Sequence, residues 1–462
     1  MQSNAGAEIR QNRGFLIAAP SSGSGKTTIT LGLLRLFSRR GLAVQPFKCG
    51  PDYLDTMLHA MAASTGDTSR PGLNLDTFMA SKQHARSLFA RHASTAEISV
   101  VEGVMGLFDG AEKSDGSSAE IAALLGLPVI MVIDGSKMAY SAAPMLYGYK
   151  NFDPSVNVAG VIFNRVGSAS HYSYLEAAAK DAGVLPLGYL PRNSAITIDE
   201  RHLGLNTSAE YDRQGIIDAM ADHIEKTVDI DRLLELAKIE LPEIEATRPT
   251  ARKSGKIIAV AKDEAFNFIY HANIETLGRY GEVRFFSPLH DRELPEADLI
   301  YLAGGYPELH AEALADNGPM RDAIAEWCRS GGATYAECGG LMYLGRTLTL
   351  ADGVAYPMCS ALDLDTTMQE ARLTLGYRKV YPTGADGVEL RGHEFHYSRI
   401  SRQGEINTIA EIRNARDETV PTSLFRAGNT IASYLHLYWG DSANNQHLFI
   451  LDALMVGLKT PV

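Results

Sequence analysis

Short apolar runs alternate with amphipathic stretches through the first half of the chain. GFLIAA at 14–19, AVQPF at 43–47, ISVV at 98–101, PVIMVI at 128–133 and VAGVIF at 158–163 are continuously apolar. Such runs predict parallel strands covered by helices on both faces. After the first run, Ile29, Leu33, Leu36 and Phe37 recur at helical spacing and Gly41 supplies a C-terminal stop. The order is therefore strand, glycine-rich loop, helix. At LPEIEATRPTARKSG the pattern turns polar, with two prolines, before IIAV at 257–260 restarts it. We read residues 1–240 as one domain, 241–255 as a linker and 256–462 as a second domain. EVRFF, DLIYLAGG and GATYAECGG renew the α/β alternation, and the turn-rich last hundred or so residues predict antiparallel strands. The fold class is α/β.

Composition narrows the partners. The chain carries 43 basic against 55 acidic residues, a net charge of -12, so no broad positive field exists for a nucleic acid. An anionic ligand must meet a local basic pocket. The cysteines, Cys49, Cys328, Cys338 and Cys359, show no CxxC spacing, which argues against a disulfide framework or a zinc site. MQSNAGAEIRQN lacks the apolar centre of a secretory signal, and no apolar run approaches the roughly 18 residues that span a bilayer. A cytoplasmic protein without a membrane partner is expected.

The run AAPSSGSGKTT, 18–28, sits between the first strand and its helix. In that setting glycines let backbone amides approach phosphate oxygens, and the helix start adds a positive dipole end. Gly23, Ser24, Gly25, Lys26, Thr27 and Thr28 are the nucleotide-binding candidates, with Lys26 as the cation and Thr27 as a magnesium ligand. The strict GxxxxGK[ST] pattern asks for glycine where this chain has Pro20, so the loop is a variant.

Carboxylates cluster at neighbouring strand ends, where parallel sheets collect ligands. GPDYLD at 50–55 offers Asp52 and Asp55, and VVEGVMGLFDG offers Glu102 and Asp109. Asp52 and Glu102 are the candidate magnesium ligands or organisers of the phosphates, against the alternative of helix-capping or solvated loop acids. Asn164, ending VAGVIF, is a candidate reader of an adenine edge or an ordinary turn asparagine.

In ATYAECGGLMYL, 333–344, a strand runs into Cys338 and directly into Gly339 and a helical pattern. A nucleophile at so sharp a turn stands clear of the chain, and the helix amides are expected to lower its pKa and to stabilise an oxyanion. His436 in HLYW is the leading candidate base, with His393 and His396 of RGHEFHYS as competitors and Glu394 between them. LAGGYPE places Gly304 and Gly305 for a second oxyanion donor beside Gly339.

Taken in order, PFKCGPDYLD, VVEGVMGLFDG, ERHLGL at 200–205, AKDEAFNFIY at 261–270, GGYPE and AECGGLMYL resemble the cobyrinic or hydrogenobyrinic acid a,c-diamide synthases over about residues 14–440. The resemblance implies a P-loop domain similar to dethiobiotin synthetase, followed by a class I glutamine amidotransferase domain. It implies a carbon–nitrogen ligase of cobalamin biosynthesis that spends ATP and glutamine. Two acetate carboxylates of a tetrapyrrole become acyl phosphates, which ammonia converts to amides. By motif, Cys338 is the glutaminase nucleophile and His436 its base. Asp52, Tyr53, Leu54, Asp55, Glu102 and Asp109 fall in segments serving ATP, magnesium and the macrocycle. Many amidotransferases carry an acid two residues past the base; Tyr438 stands there, so the third member is missing or supplied elsewhere and slow glutamine turnover is expected. A homodimer is left open. The alternatives are a nickel-sirohydrochlorin a,c-diamide synthase, a cobyric acid synthase and, from another class, a regulatory P-loop ATPase with an inert C-terminal domain.

Overall fold

A computed structural model describes residues 12–64, 70–193, 196, 212–243, 255–441 and 449–455. The ERHLGL motif and most of the 241–255 segment lie outside the described residues. The chain divides into two compact units, Met1–Thr77 with Lys82–Ala246, and Phe78–Ser81 with Thr247–Val462.

In the first unit, β1 (Arg13–Ala18), β2 (Val44–Cys49), β3 (Leu73–Leu75), β4 (Ile98–Glu102), β5 (Val129–Asp134), β6 (Val158–Val166) and β7 (Leu185–Pro191) form a sheet of order β3-β2-β4-β1-β5-β6-β7. Every neighbouring pair is parallel. The continuous apolar runs are explained by two cores. Leu16 and Ala18 pack with Val101, Met131 and Phe163 on one face, and Phe15 and Ile17 pack with Val100, Ile130 and Ile162 on the other. Successive strand residues point to opposite faces, so a strand buried on both sides has no polar register. Each Leu, Ile, Val, Met or Phe among them contributes roughly 1.5–3 kcal/mol on burial. Helix α1 (Lys26–Arg39) lays Ile29, Leu33, Leu36 and Phe37 into the second core. It stops where Gly41, at φ 80°, lets Leu42 N–H reach Phe37 O and Gly41 N–H reach Ser38 O. Helix α2 (Leu54–Ala63) follows β2.

In the second unit, β8 (Lys256–Ala261), β9 (Gly281–Phe286), β10 (Leu299–Leu302) and β11 (Ala333–Glu337) join Thr430–Ser433 in a parallel arrangement. Leu424–Ala427 and Asn407–Thr408 extend it antiparallel. Its faces are buried alternately too: Ala259, Ile300 and Ala336 on one side, Val260, Tyr301 and Tyr335 on the other. The turn-rich end of the chain includes an antiparallel sheet of Ala410–Asn414, Thr374–Pro382, Leu390–His396 and Leu435–Leu437. No helix among the described residues is long and apolar enough to cross a membrane.

Candidate active sites

The first site lies at the carboxyl ends of β1, β2 and β4. Gly23 and Gly25 both have positive φ, 77° and 97°, and Gly25 is the residue from which α1 starts. A Cβ there would strike the Asn164 amide, so glycine is required on two counts. Asn164 Nδ2 donates to Ser24 O at 3.0 Å, while Asn164 Oδ1 accepts from Arg165 N–H. Its amide thus braces the loop, and that contact occupies part of the edge expected to face a base.

Lys26 Nζ donates to Met105 O at 2.6 Å, across the mouth of the loop. Burial holds the ammonium below its ordinary pKa, with Glu102 opposing. Beneath it, Thr27 Oγ1 donates to Glu102 Oε1 at 2.6 Å. Lys48 Nζ lies 2.9 Å from Glu102 Oε1 and 2.5 Å from Asp55 Oδ2, and His59 Nε2 lies 2.6 Å from Glu102 Oε2. Lys48, His59 and Glu102 are buried. Burial disfavours charge on each acid and on Lys48, but the pairing wins for Lys48, raised by Asp55 and Glu102, and for Glu102, lowered by Lys48, His59 and Thr27. Asp55 goes the other way: burial and neighbouring Asp52 push its carboxyl up to about 7 against the pull of Lys48.

Asp52 Oδ1 accepts Asp55 N–H at 2.8 Å at the start of α2, and Tyr53 and Leu54 stand between them. Asp109 Oδ2 accepts Gly106 N–H at 2.9 Å. The structure therefore brings Thr27, Glu102 and Asp55 together around Lys48, with Asp52 capping the adjoining turn. Neither Lys48 nor His59 was singled out from the sequence. Their signals were a lysine inside a wholly buried strand and a histidine one helical turn after Asp55.

The second site is built on β11 and its continuation. Cys338 has φ 44° and ψ -99°, a conformation that costs about 1–3 kcal/mol in a residue other than glycine. Cys338 N–H donates to Ser433 O at 2.7 Å and Cys338 O accepts Met342 N–H at 3.0 Å, which hold the sharp turn into the helix Gly339–Leu344. The thiol is buried, with Sγ 3.7 Å from Phe395 O. The expected lowering of its pKa is not found: burial, then the nearby Glu308 carboxyl, raise the thiol well above its ordinary value, and the Gly339 amide offsets this only in part. For this buried thiol, desolvation of the thiolate outweighs one helix turn of dipole.

Gly305 and Gly339 fall on one patch, since a Cβ on Gly339 would stand 3.1 Å from Gly305 N. A Cβ on Gly304 would collide with the His436 ring, so that glycine makes room for the imidazole. His436 is fully buried and stacks on His393 with ring centroids 4.9 Å apart. His393 Nδ1 meets the Tyr270 hydroxyl at 2.9 Å, and burial and His436 push its pKa well down. His396 Nε2 meets Glu394 Oε1 at 2.9 Å, and Arg378 Nε donates to Glu394 Oε2 at 2.7 Å. Glu394 is thus engaged by His396 and Arg378. Glu337 Oε2 lies 3.6 Å from His436 Nδ1, a neighbour the sequence did not single out.

Residues 15–205 match the CobQ/CobB/MinD/ParA nucleotide binding domain, and residues 257–444 match the CobB/CobQ-like glutamine amidotransferase domain. The chain is 43% identical over 433 residues to a hydrogenobyrinate a,c-diamide synthase of Brucella anthropi, covering 92% of this chain and 98% of that protein. It is 41% identical over 448 residues to a cobyrinate a,c-diamide synthase of Picrophilus torridus, covering 94% and 98%. A cobyrinate a,c-diamide synthase of Salmonella typhimurium is 42% identical over 447 residues, covering 93% of this chain and 95% of its own length.

Proposed function

Since the chain belongs to the cobyrinate and hydrogenobyrinate a,c-diamide synthase family, we propose that it amidates two acetate carboxylates of such a macrocycle with ATP and glutamine, in the cytoplasm. The observation that carries this reading is that one polypeptide holds both a glycine-braced phosphate loop and a strained buried thiol beside two glycine amides.

A carboxylate does not react with ammonia near neutral pH, so it must first gain a leaving group. The carboxylate oxygen attacks the γ-phosphorus of ATP, the bond to the bridging oxygen breaks, and ADP departs with its electron pair. The loop amides and Lys26 hold the phosphates in line and offset the charge that spreads over them. Asn164 keeps the loop in shape, and Gly25 permits that contact. Asp52, Tyr53, Leu54, Asp55 and Asp109 are our candidates for the phosphate and macrocycle side of the site.

Magnesium fits the donors present. Thr27, Asp52 and Glu102 offer only oxygen, the donor type that ion takes, and an ion at Glu102 would share its oxygens with Thr27, Lys48 and His59. Bound there, the ion would neutralise phosphate charge.

Ammonia is made at the second site. His436 takes the proton of Cys338, whose sulfur electron pair attacks the amide carbon of glutamine. The Gly305 and Gly339 amides receive the oxyanion. Ammonia leaves carrying the proton from His436, water hydrolyses the thioester, and the released amine displaces phosphate from the activated acid. Incubating the protein with ATP, magnesium and glutamine, and in turn with hydrogenobyrinate, cobyrinate and nickel-sirohydrochlorin, tests the reading. Mass spectrometry should find two successive replacements of hydroxyl by amine on one of the first two rings. Amidation of none of the three refutes it, and amidation of the nickel ring alone would select that substrate instead.

A further inference from the structure

The base of the thiol site stands two residues before Tyr438, whose ring packs on Tyr270 at 5.3 Å and carries no carboxylate. We propose that Glu337, the residue immediately before the nucleophile, is the positioning carboxylate for His436. This rests on the reading of His436 as the base for Cys338.

The placement follows from strand order. β11 ends at Glu337 and pairs in parallel with Thr430–Ser433, so that Glu337 lies opposite Ser433. The chain then passes through Tyr434 into Leu435–Leu437, where His436 pairs with His393. Both side chains are buried, and Glu337 Oε2 stands 3.6 Å from His436 Nδ1. That separation is longer than a hydrogen bond and within ion-pair range, as is common for such pairs before substrate binds.

Glu337 is itself fixed. Tyr301 donates its hydroxyl to Oε2 at 2.9 Å, and Leu437 donates its N–H to Oε1 at 2.9 Å. A carboxylate has about four acceptor positions, so two donors leave capacity for Nδ1–H. Leu437 follows His436 directly, so the same carboxylate anchors the backbone next to the ring it faces. The stacked His393 ring and the missing side chain at Gly304 set the ring plane.

The chemical consequence is specific. With Nδ1–H directed at Glu337, the lone pair of His436 is on Nε2, and the imidazolium that forms when the Sγ–H bond breaks sits beside a fixed negative charge. Glu337 takes no proton. The acid that the sequence pattern places two residues after the base is here supplied from the residue before the nucleophile.

The test measures glutamine hydrolysis and ammonia-driven amidation of hydrogenobyrinate or cobyrinate in E337Q, E337D and H436N. E337Q is expected to lower kcat for hydrolysis by about 100-fold or more, with KM for glutamine within a few fold and ammonia-driven amidation retained. E337D, which keeps a carboxylate, should recover part of the loss. In 15N-histidine spectra, the His436 signals, identified by their absence in H436N, should show Nδ1 protonated in the wild type and a changed tautomer in E337Q. Wild-type hydrolysis by E337Q with an inactive H436N overturns the Glu337 assignment alone. Wild-type hydrolysis by H436N overturns the base reading beneath it. Should E337Q also lose ammonia-driven amidation through misfolding, the wild-type spectrum decides, and an unprotonated Nδ1 overturns the assignment.

Discussion

The two sites occupy equivalent places, the carboxyl ends of parallel strands, but are held by opposite means. The phosphate-loop site is organised by charge: Lys48 is clasped by Glu102 and Asp55, and Glu102 also meets His59 and Thr27. The thiol site is organised by backbone shape, with Cys338 at φ 44° and glycines where a Cβ would strike Pro307 or His436. The difference suits the tasks we propose for the two sites. A polyanion is gripped by a compensated set of charges that can adjust, whereas a covalent reaction needs its nucleophile, base and oxyanion donors fixed within fractions of an ångström.

The largest effect should come from Cys338→Ala, which we expect to lower glutamine-dependent amidation by about a thousandfold or more while ammonia-driven amidation survives. Equal loss with both nitrogen sources would end the division of labour between the sites. Lys26→Ala should give the complementary result, a fall of about 10²–10³ with either nitrogen source, because a preorganised cation at the transferring phosphoryl group is removed. Retained ATP-dependent turnover in that variant would break the charge-based account of the first site.

Glu102→Gln probes that account through stability. It removes the acid that faces buried His59 and leaves Lys48 with Asp55 alone, which should cost about 1–3 kcal/mol and lower the Tm of that unit by about 3–10 °C in calorimetry. A Tm within error of the wild type would show that Glu102 is not the keystone. The smallest effect concerns pH in the second unit. Burial raises the Glu394 carboxyl, but His396 and Arg378 outweigh it and leave the group below its ordinary value. Its stabilisation is therefore full above the unfolded carboxylate pKa of about 4.3 and is lost as pH falls through the lower folded value. Chemical denaturation at stepped pH should show stability declining below about pH 4, with a shallower decline in Glu394→Gln.

Local rules made much of the fold legible. Apolar runs at 14–19, 128–133 and 158–163 mark strands because a sheet covered on both faces leaves no polar positions, as the two cores around Phe15 and Leu16 show. Glycines with lysine and threonine between strand and helix mark the phosphate loop, and cysteine between strand and glycines marks the elbow, because each chemistry needs those residues within a few positions. The Gly339 amide lowers the Cys338 pKa as a helix start implies, but burial, which no local pattern carries, outweighs it.

Sequence alone thus determined most strands from neighbours a few residues apart, determined the family from motifs in fixed order, and offered the loop and the thiol as candidates. Tertiary structure decided which distant charges meet: Lys48 with Glu102 across two strands, His59 from a helix onto the same carboxylate, and Glu337 opposite an imidazole that lies 3.6 Å away but far along the chain. Such pairings arise from strand order and side-chain direction. No local pattern encodes them, because the energy that fixes them is released only when both elements are packed.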